Sequence, residues 1–331
     1  MINATGALRT LMVCLVLVPL PAFAIDATRE DVRKFADEMK QKHGFEAAWL
    51  DAVIADAQSQ PKIIERMSKP AESVLTWHRY SQLMLTEERT AAGVQFWSEH
   101  RERLAAIERE TGVSPHVIVG ILGVETYFGR ITGKDRVLDA LATLAFDYPP
   151  RATFFRAELE QLLLLAREER IEVQTVLGSY AGAMGRAQFM PSSYRAYAID
   201  GDGDDRRDLW ESWDDVLASI ANYLAKHGWR RSEPVLAAAE PWFPRTDGLV
   251  AGGRAPDTTV KALRDRGLRF DTTQDGKAPA LFIRVDGESA PVFRAGFHNF
   301  GVITKYNRSI LYALAVDELG RRIEARVPAA P

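Results

Sequence analysis

The sequence predicts a mainly α-helical protein with a small β-rich insertion, an α+β chain. Two observations carry this. Apolar residues recur at helical 3/4 spacing through most of the chain from 26 to about 228. After Trp229 the character changes, and residues 232 to 296 carry many Pro, Gly, Asp and Thr. Within that stretch Ala280 to Val285 is β-like and is followed by the turn signal Asp286-Gly287.

The elements follow in order. Helical periodicity runs from Asp31 to Lys42, and Phe45 to Gln58 and Pro61 to Met67 read as short helices broken at Pro61 and Pro70. Glu87 to Arg109 reads as one long helical segment carrying Phe96 and Trp97. Ser114 is placed to cap a helix and Pro115 to start it, with Gly129 as the residue that ends it. Leu138 to Ala145 and Ala152 to Glu168 are separated by the Tyr148-Pro149-Pro150 break. Trp213 to His227 is a further helix, and Val302 to Leu319 returns to helix after the insertion. No repeat with a period of roughly 20–50 residues is evident, and the tail Pro328 to Pro331 is expected to fray.

The bulk numbers narrow the classes. The 331 residues are 47% hydrophobic and 26% charged, ordinary for a globular chain. A net charge of −3 offers no basic field for nucleic acid. At the N-terminus, Arg9, the apolar run Leu11 to Leu20 and Ala22-Phe23-Ala24 read as an export leader with a cleavage site. The mature chain is expected to begin near Ile25, to be periplasmic and to carry no transmembrane segment. A lipid anchor at Cys14 is the competing reading, but Val13 stands where a small residue would precede a lipidated cysteine. Cys14 is the only cysteine, so the mature chain would hold no disulfide and no thiolate nucleophile.

Glu125 is the most informative residue. Val117, Ile118, Ile121, Leu122, Glu125 and Phe128 share a helix face, and Glu125 is its only charge. Desolvation favours the protonated carboxyl, which can act as a general acid near neutral pH. A structural ion pair with Arg130 is left open by the spacing alone. The segment Gly178 to Tyr194 places Gly178, Gly182, Ala183 and Gly185 for close backbone approach to a ligand, with Ser179 and Gln188 as neutral hydrogen-bonding groups. A tight packing loop is its bland counterpart. Tyr306 and Asn307, in Phe297 to Tyr312, suit a polar, aromatic groove, or else an ordinary amphipathic helix.

Asp200-Gly201-Asp202-Gly203-Asp204 sets oxygen ligands at positions 1, 3 and 5 of a loop, with Glu211 at position 12, the spacing of an EF-hand calcium site. Asp205 stands where Gly is usual and Arg207 where an apolar residue is usual. A solvated acidic turn competes, although carboxylates this close repel one another without a cation.

Together these segments resemble the membrane-bound lytic transglycosylase B family of bacterial cell-wall enzymes. The motifs ILGVETYFGR, SYAGAMGRAQFMPSSY, DGDGDDRRDLW and NFGVITKYNRSILYALAV carry the resemblance, which covers nearly the whole mature chain. It implies a lysozyme-like helical catalytic core, a helical flanking domain and a small β domain. The implied division is a leader over 1–24, a helical domain over 25–110 completed by the C-terminal helix, and a core over 111–231 holding the calcium loop 200–215. The β-rich domain then spans 232–296, and 297–331 returns to the helical part.

The resemblance further implies cleavage of the MurNAc–GlcNAc β-1,4 bond of peptidoglycan to leave a 1,6-anhydro-MurNAc end. Glu125 matches the single catalytic acid/base. Ser179, Gln188, Tyr306, Asn307, Tyr312 and Tyr80 match saccharide contacts. Asp200, Asp202, Asp204 and the backbone of Arg206 match ligands of a structural Ca²⁺. Asp215 fits best as the last ligand, with Asp214 and Glu211 as rivals. Glycan strands are the implied partner, with cell-wall synthesis or division machinery as candidate recruiters.

Two other functions compete. A hydrolytic muramidase would need a second carboxylate, and Asp147 and Glu172 are nearest in sequence. A non-catalytic, calcium-stabilised peptidoglycan-binding protein would bind without cleaving. A calcium sensor fits poorly, because the loop has no second hand.

Overall fold

The computed structural model describes residues 23–68, 75–242 and 253–328. The leader expected over 1–24, including Cys14, and the last three residues of the tail lie outside the described residues, save Phe23 and Ala24.

In chain order the elements are β1 (Phe23–Ala24), α1 (Glu30–His43), α2 (Ala47–Asp56), β2 (Gln58–Ser59), α3 (Pro61–Ser68), α4 (Trp77–Met84), α5 (Glu87–Glu99), α6 (Arg101–Thr111) and α7 (Pro115–Thr126). There follow β3 (Asp135–Arg136), α8 (Val137–Phe146), α9 (Ala152–Glu169), β4 (Leu177–Gly178), α10 (Pro191–Tyr197) and α11 (Trp213–Lys226). The last part holds β5 (Leu236–Pro241), β6 (Thr258–Thr259), α12 (Val260–Asp265), β7 (Leu268–Arg269), β8 (Pro279–Asp286), β9 (Pro291–Gly296), α13 (His298–Tyr306) and α14 (Ile310–Glu324). Among the described residues the chain is thus mainly helical, with one five-stranded sheet and two short two-stranded pairs, β1-β2 and β3-β4.

Local chemistry sets most boundaries. The Glu46 carboxylate accepts from Ala48 N and Trp49 N and caps α2, and the Thr76 and Thr86 hydroxyls cap α4 and α5. Gly44 and Gly112 close α1 and α6 in the left-handed region.

Three expected boundaries are corrected. The segment expected as one helix from Glu87 to Arg109 is two, because His100 leaves helical geometry (ψ 19°) between α5 and α6. Its ring is then held against Phe96 and Trp213, with centroids 4.4 and 5.6 Å away. The helix expected over Val302 to Leu319 is also two. Asn307 is extended, its Oδ1 accepts from Ser309 N at 3.1 Å, and Ser309 Oγ caps α14 through Tyr312 N at 3.2 Å. Finally α7 ends at Thr126 rather than at Gly129. Tyr127, Phe128 and Gly129 are all left-handed (φ 50°, 57° and 80°), a run that two non-glycine residues adopt only under tertiary constraint.

The antiparallel sheet has strand order β6-β8-β9-β5-β7. Its period-2 alternation divides two cores. Ala280 and Phe282 join a small cluster with Val260, Leu263, Leu268 and Phe297, whereas Leu281 and Ile283 face the main core. The last two helices return to the helical part, and α14 lies along α7. Small residues allow this. A Cβ at Gly120 would meet the carbonyl oxygen of Val316, and one at Gly320 would meet that of His116.

Candidate active site

Glu125 lies in the last turn of α7 and is half-buried. The close approach of α14 brings Tyr312 to it. Tyr312 is 1% exposed, and its hydroxyl is buried without a hydrogen bond of normal geometry. Burial pushes that hydroxyl well above the usual tyrosine range, and the neighbouring Glu125 charge and a hydrogen bond toward its carboxyl push the same way. Tyr306, at the end of α13, is raised by burial and then by Glu125. Tyr80, on α4, is 2% exposed and within electrostatic reach of Tyr312. The structure therefore gathers Glu125, Tyr312, Tyr306 and Tyr80 from four helices.

The glycine-rich loop is fastened to the same place. Thr126 Oγ1, beside Glu125, donates to Arg186 O at 3.1 Å, and Tyr306 Oη donates to Ala187 O at 2.6 Å. Gln188, left-handed at φ 50°, donates from Nε2 to Thr132 O and Gly185 O, both at 2.9 Å. Ser179 Oγ accepts from Ala181 N and Ala183 N at 3.3 and 3.0 Å. These two side chains brace the loop, and Asn307 uses its side-chain oxygen in the turn between α13 and α14.

Several aromatic residues that sequence reasoning missed extend the site. Tyr223 on α11 packs edge-on to Tyr306 with centroids 4.9 Å apart, and its hydroxyl donates to Lys305 O at 2.7 Å. Burial pushes Tyr223 up to about 12. Phe189 and Tyr197 pack on Tyr223, and His227 stacks on it at 4.0 Å. A signal for this wall exists in the sequence, since Tyr223 and His227 lie four apart on one helix face. Arg130, the partner considered for Glu125, stacks on Tyr127 at 4.8 Å, and Arg89 stacks on the same ring at 4.9 Å.

The two other carboxylates considered for chemistry are placed differently. Asp147 is held by Arg29 and by the Ser59 hydroxyl, each at 2.5 Å. Glu172 is exposed at the surface.

The acidic loop has a cation-ready form. One carboxylate oxygen from each of Asp200, Asp202 and Asp204 lies within 4.8 Å of the others. Asp200 accepts from Gly203 N and Asp205 N at 2.6 and 2.8 Å, and Asp204 accepts from Arg206 N at 2.9 Å, so the loop wraps its own carboxylates. Asp215 is 1% exposed, and its two oxygens accept from Gly201 N and Asp208 N at 2.7 and 2.6 Å. Burial pushes the Asp215 carboxyl above the usual aspartate range, and the charges of Asp202 and Asp200 add to this. Asp215 thus sits beneath the loop beside the aspartate triad. The rivals face arginines: Asp214 pairs with Arg103 at 2.9 Å and Glu211 with Arg186 at 3.3 Å. Hard oxygen donors packed against one another fit a divalent cation such as Ca²⁺.

A half-buried carboxyl ringed by tyrosines and a glycine-rich loop, on a mainly helical body, fits the class of polysaccharide-cleaving enzymes. The family profile described as "Transglycosylase SLT domain" matches residues 27–321, and the chain belongs to that family. It is 37% identical over 306 residues to membrane-bound lytic murein transglycosylase B of Escherichia coli K12, covering 90% of this chain and 83% of that protein. The structure of catenated lytic transglycosylase SltB1 from Pseudomonas aeruginosa is similar at a TM-score of 0.86 and 42% identity, covering 91% of this chain and 99% of that one. The E. coli lytic transglycosylase SLT35, solved in complex with calcium, is similar at a TM-score of 0.84 and 36% identity, covering 92% and 96%. No helix among the described residues is long and apolar enough to cross a membrane.

Proposed function

We propose that this protein cleaves the MurNAc–GlcNAc β-1,4 bond of peptidoglycan with Glu125 as its single acid and base. The observation that carries this reading is the setting of Glu125: half-buried, faced by Tyr312 and Tyr306, while Asp147 is engaged by Arg29 and Ser59. Protonated Glu125 donates to the glycosidic oxygen as the bond to the anomeric carbon breaks. The N-acetyl group of MurNAc stabilises the positive charge left there. The Glu125 carboxylate then takes the proton of the C6 hydroxyl, whose oxygen bonds to the anomeric carbon. No water is consumed, and Glu125 regains its proton.

The neighbouring groups position the sugar. Tyr306, only partly buried and backed by the buried Phe189 and Tyr223, is the ring placed to meet a sugar, and the loop braced by Ser179 and Gln188 offers backbone groups for sugar hydroxyls. Tyr80, Tyr306, Asn307 and Tyr312 are assigned to the groove on the same reading, with 111–231 as the catalytic core. Export to the periplasm by the 1–24 leader, and recruitment by cell-wall synthesis or division machinery, complete the assignment.

Digestion of purified sacculi with mass analysis of the muropeptides tests it. Anhydro ends, one water lighter than reducing ends, are expected. Reducing ends would indicate a hydrolytic muramidase, and uncut sacculi that retain the protein would indicate a binding protein.

Tyr312→Phe is expected to lower kcat about tenfold, the scale of one hydrogen bond to a charged group. The Tyr312 hydroxyl favours the carboxylate over the acid, so its loss makes the Glu125 carboxyl hold its proton to higher pH. The alkaline limb of the kcat–pH profile then moves to higher pH. An unmoved profile would contradict contact between the two groups during turnover.

Calcium, held by Asp200, Asp202, Asp204, the Arg206 carbonyl and Asp215, supplies a structural clamp on the loop and takes no part in bond cleavage. Binding at a hundred times the dissociation constant contributes about 2.7 kcal/mol, so in a chain of 331 residues chelation should lower Tm by roughly 4 °C. Asp202→Asn should lose most of the calcium dependence. A Tm indifferent to chelator and calcium would contradict the assignment.

A further inference from the structure

The seam between α7 and α14 runs antiparallel, with His116 against Gly320, Gly120 against Val316 and Glu125 against Tyr312. At the end remote from Glu125 it holds two buried polar side chains that the chemistry does not use. His116, in the first turn of α7, is 8% exposed, and Asp317 on α14 is 2% exposed. His116 Nε2 lies 3.4 Å from Asp317 Oδ1, and both atoms are buried with no hydrogen bond to any other group among the described residues. The second oxygen of Asp317 accepts from Arg321 Nε at 2.8 Å, one turn further along α14. A buried donor or acceptor left unmade is costly, so with its proton on Nε2 His116 has one group to donate to, the Asp317 carboxylate. The glycine contacts elsewhere in the seam set how closely the helices approach but carry no direction along their axes. A polar pair inside an apolar seam is satisfied in one register only.

We infer that His116 and Asp317 are positioning residues, a latch that fixes the register of α14 on α7 and so holds the Tyr312 hydroxyl against the Glu125 carboxyl. The reacting pair rides on the same two helices that the latch joins, Glu125 in the last turn of α7 and Tyr312 in the first turn of α14. Arg321 holds the far oxygen of Asp317, which fixes the rotation of the carboxylate and leaves Oδ1 facing His116. A slip or turn of α14 draws the Tyr312 hydroxyl away, and the Glu125 carboxyl then keeps its proton to higher pH, as in Tyr312→Phe. The inference rests on the proposed pairing of Glu125 with Tyr312 during turnover.

The kcat–pH profiles of Asp317→Asn, of Tyr312→Phe and of the double variant test this, each measured well below its Tm. Asp317→Asn should lower kcat by up to the about tenfold of Tyr312→Phe, with KM within about twofold of wild type and the alkaline limb moved to higher pH. In the Tyr312→Phe background the same change should alter kcat by less than about twofold and leave the limb where Tyr312→Phe put it, because residues that act through one contact are not additive. His116→Leu should behave as Asp317→Asn does. His116→Gln, whose amide nitrogen reaches the place of Nε2, should restore the wild-type limb. These two variants give the answer if Asp317→Asn does not fold. A merely structural pair would lower Tm and leave the limb in place, so a limb unmoved by Asp317→Asn or His116→Leu, or a full additional loss in the double variant, would overturn the inference. A limb moved by Tyr312→Phe but not by the latch variants overturns the latch alone. A limb unmoved by all three overturns the pairing of Glu125 with Tyr312 as well.

Discussion

Glu125→Gln is expected to remove turnover of peptidoglycan while leaving the protein folded. The amide keeps the shape of the side chain but can neither donate a carboxyl proton nor take one back. General acid–base steps contribute about 10²–10⁴-fold each in typical enzymes, and here one group serves both. A fall of about 10³-fold or more in kcat is therefore expected, with Tm within a few degrees of wild type. Glu125 is half-buried at the end of α7, so exchanging one polar side chain for another of equal size leaves the packing of that helix intact. Retained binding of glycan strands by the variant would separate loss of chemistry from loss of the groove. Activity within a few-fold of wild type would remove Glu125 from the mechanism.

Gly120→Val should have the largest effect on stability. A Cβ at this position meets the main-chain carbonyl of Val316 on α14. Main chain inside a helix cannot rotate aside as a side chain can. The helices must separate, at a cost of about 3 kcal/mol or more, the upper end for overpacked sites. In a protein of 331 residues that lowers Tm by roughly 4–5 °C or more. Activity should fall too, because Tyr312 rides on α14 and faces Glu125. A thermal scan, with kcat measured well below the new Tm, checks both. Wild-type Tm would show that α7 and α14 are not held as closely as described.

The place of Glu125, half-buried at the end of an apolar helix, was legible because a single charge on an otherwise apolar helical stripe stands out from the pattern. The acidic loop was legible because oxygen ligands at alternate positions leave a local pattern. The sheet was legible as a change in composition and a β-like run, but its five-stranded order was not, since strands of two residues such as β6 and β7 carry no periodicity. The break at His100 was hidden because helical spacing continues across it. The separation of α13 from α14 was written in Asn307 and Ser309, residues that fit a turn and a cap, yet the apolar pattern on both sides suggested one helix. The aromatic wall of Tyr223, Tyr197 and Phe189 was missed because its members come from three separate segments. The braced side chains of Ser179 and Gln188 could not be anticipated either. Their partners are backbone groups that only the folded loop brings within reach.

One measurement bears most directly on the claim that Glu125 works alone, with the sugar's own hydroxyl as nucleophile. Sacculi are digested in water enriched in oxygen-18, and the new glycan ends are weighed. The account predicts anhydro ends without heavy oxygen, since no water enters the reaction. New reducing ends carrying one heavy oxygen would contradict it.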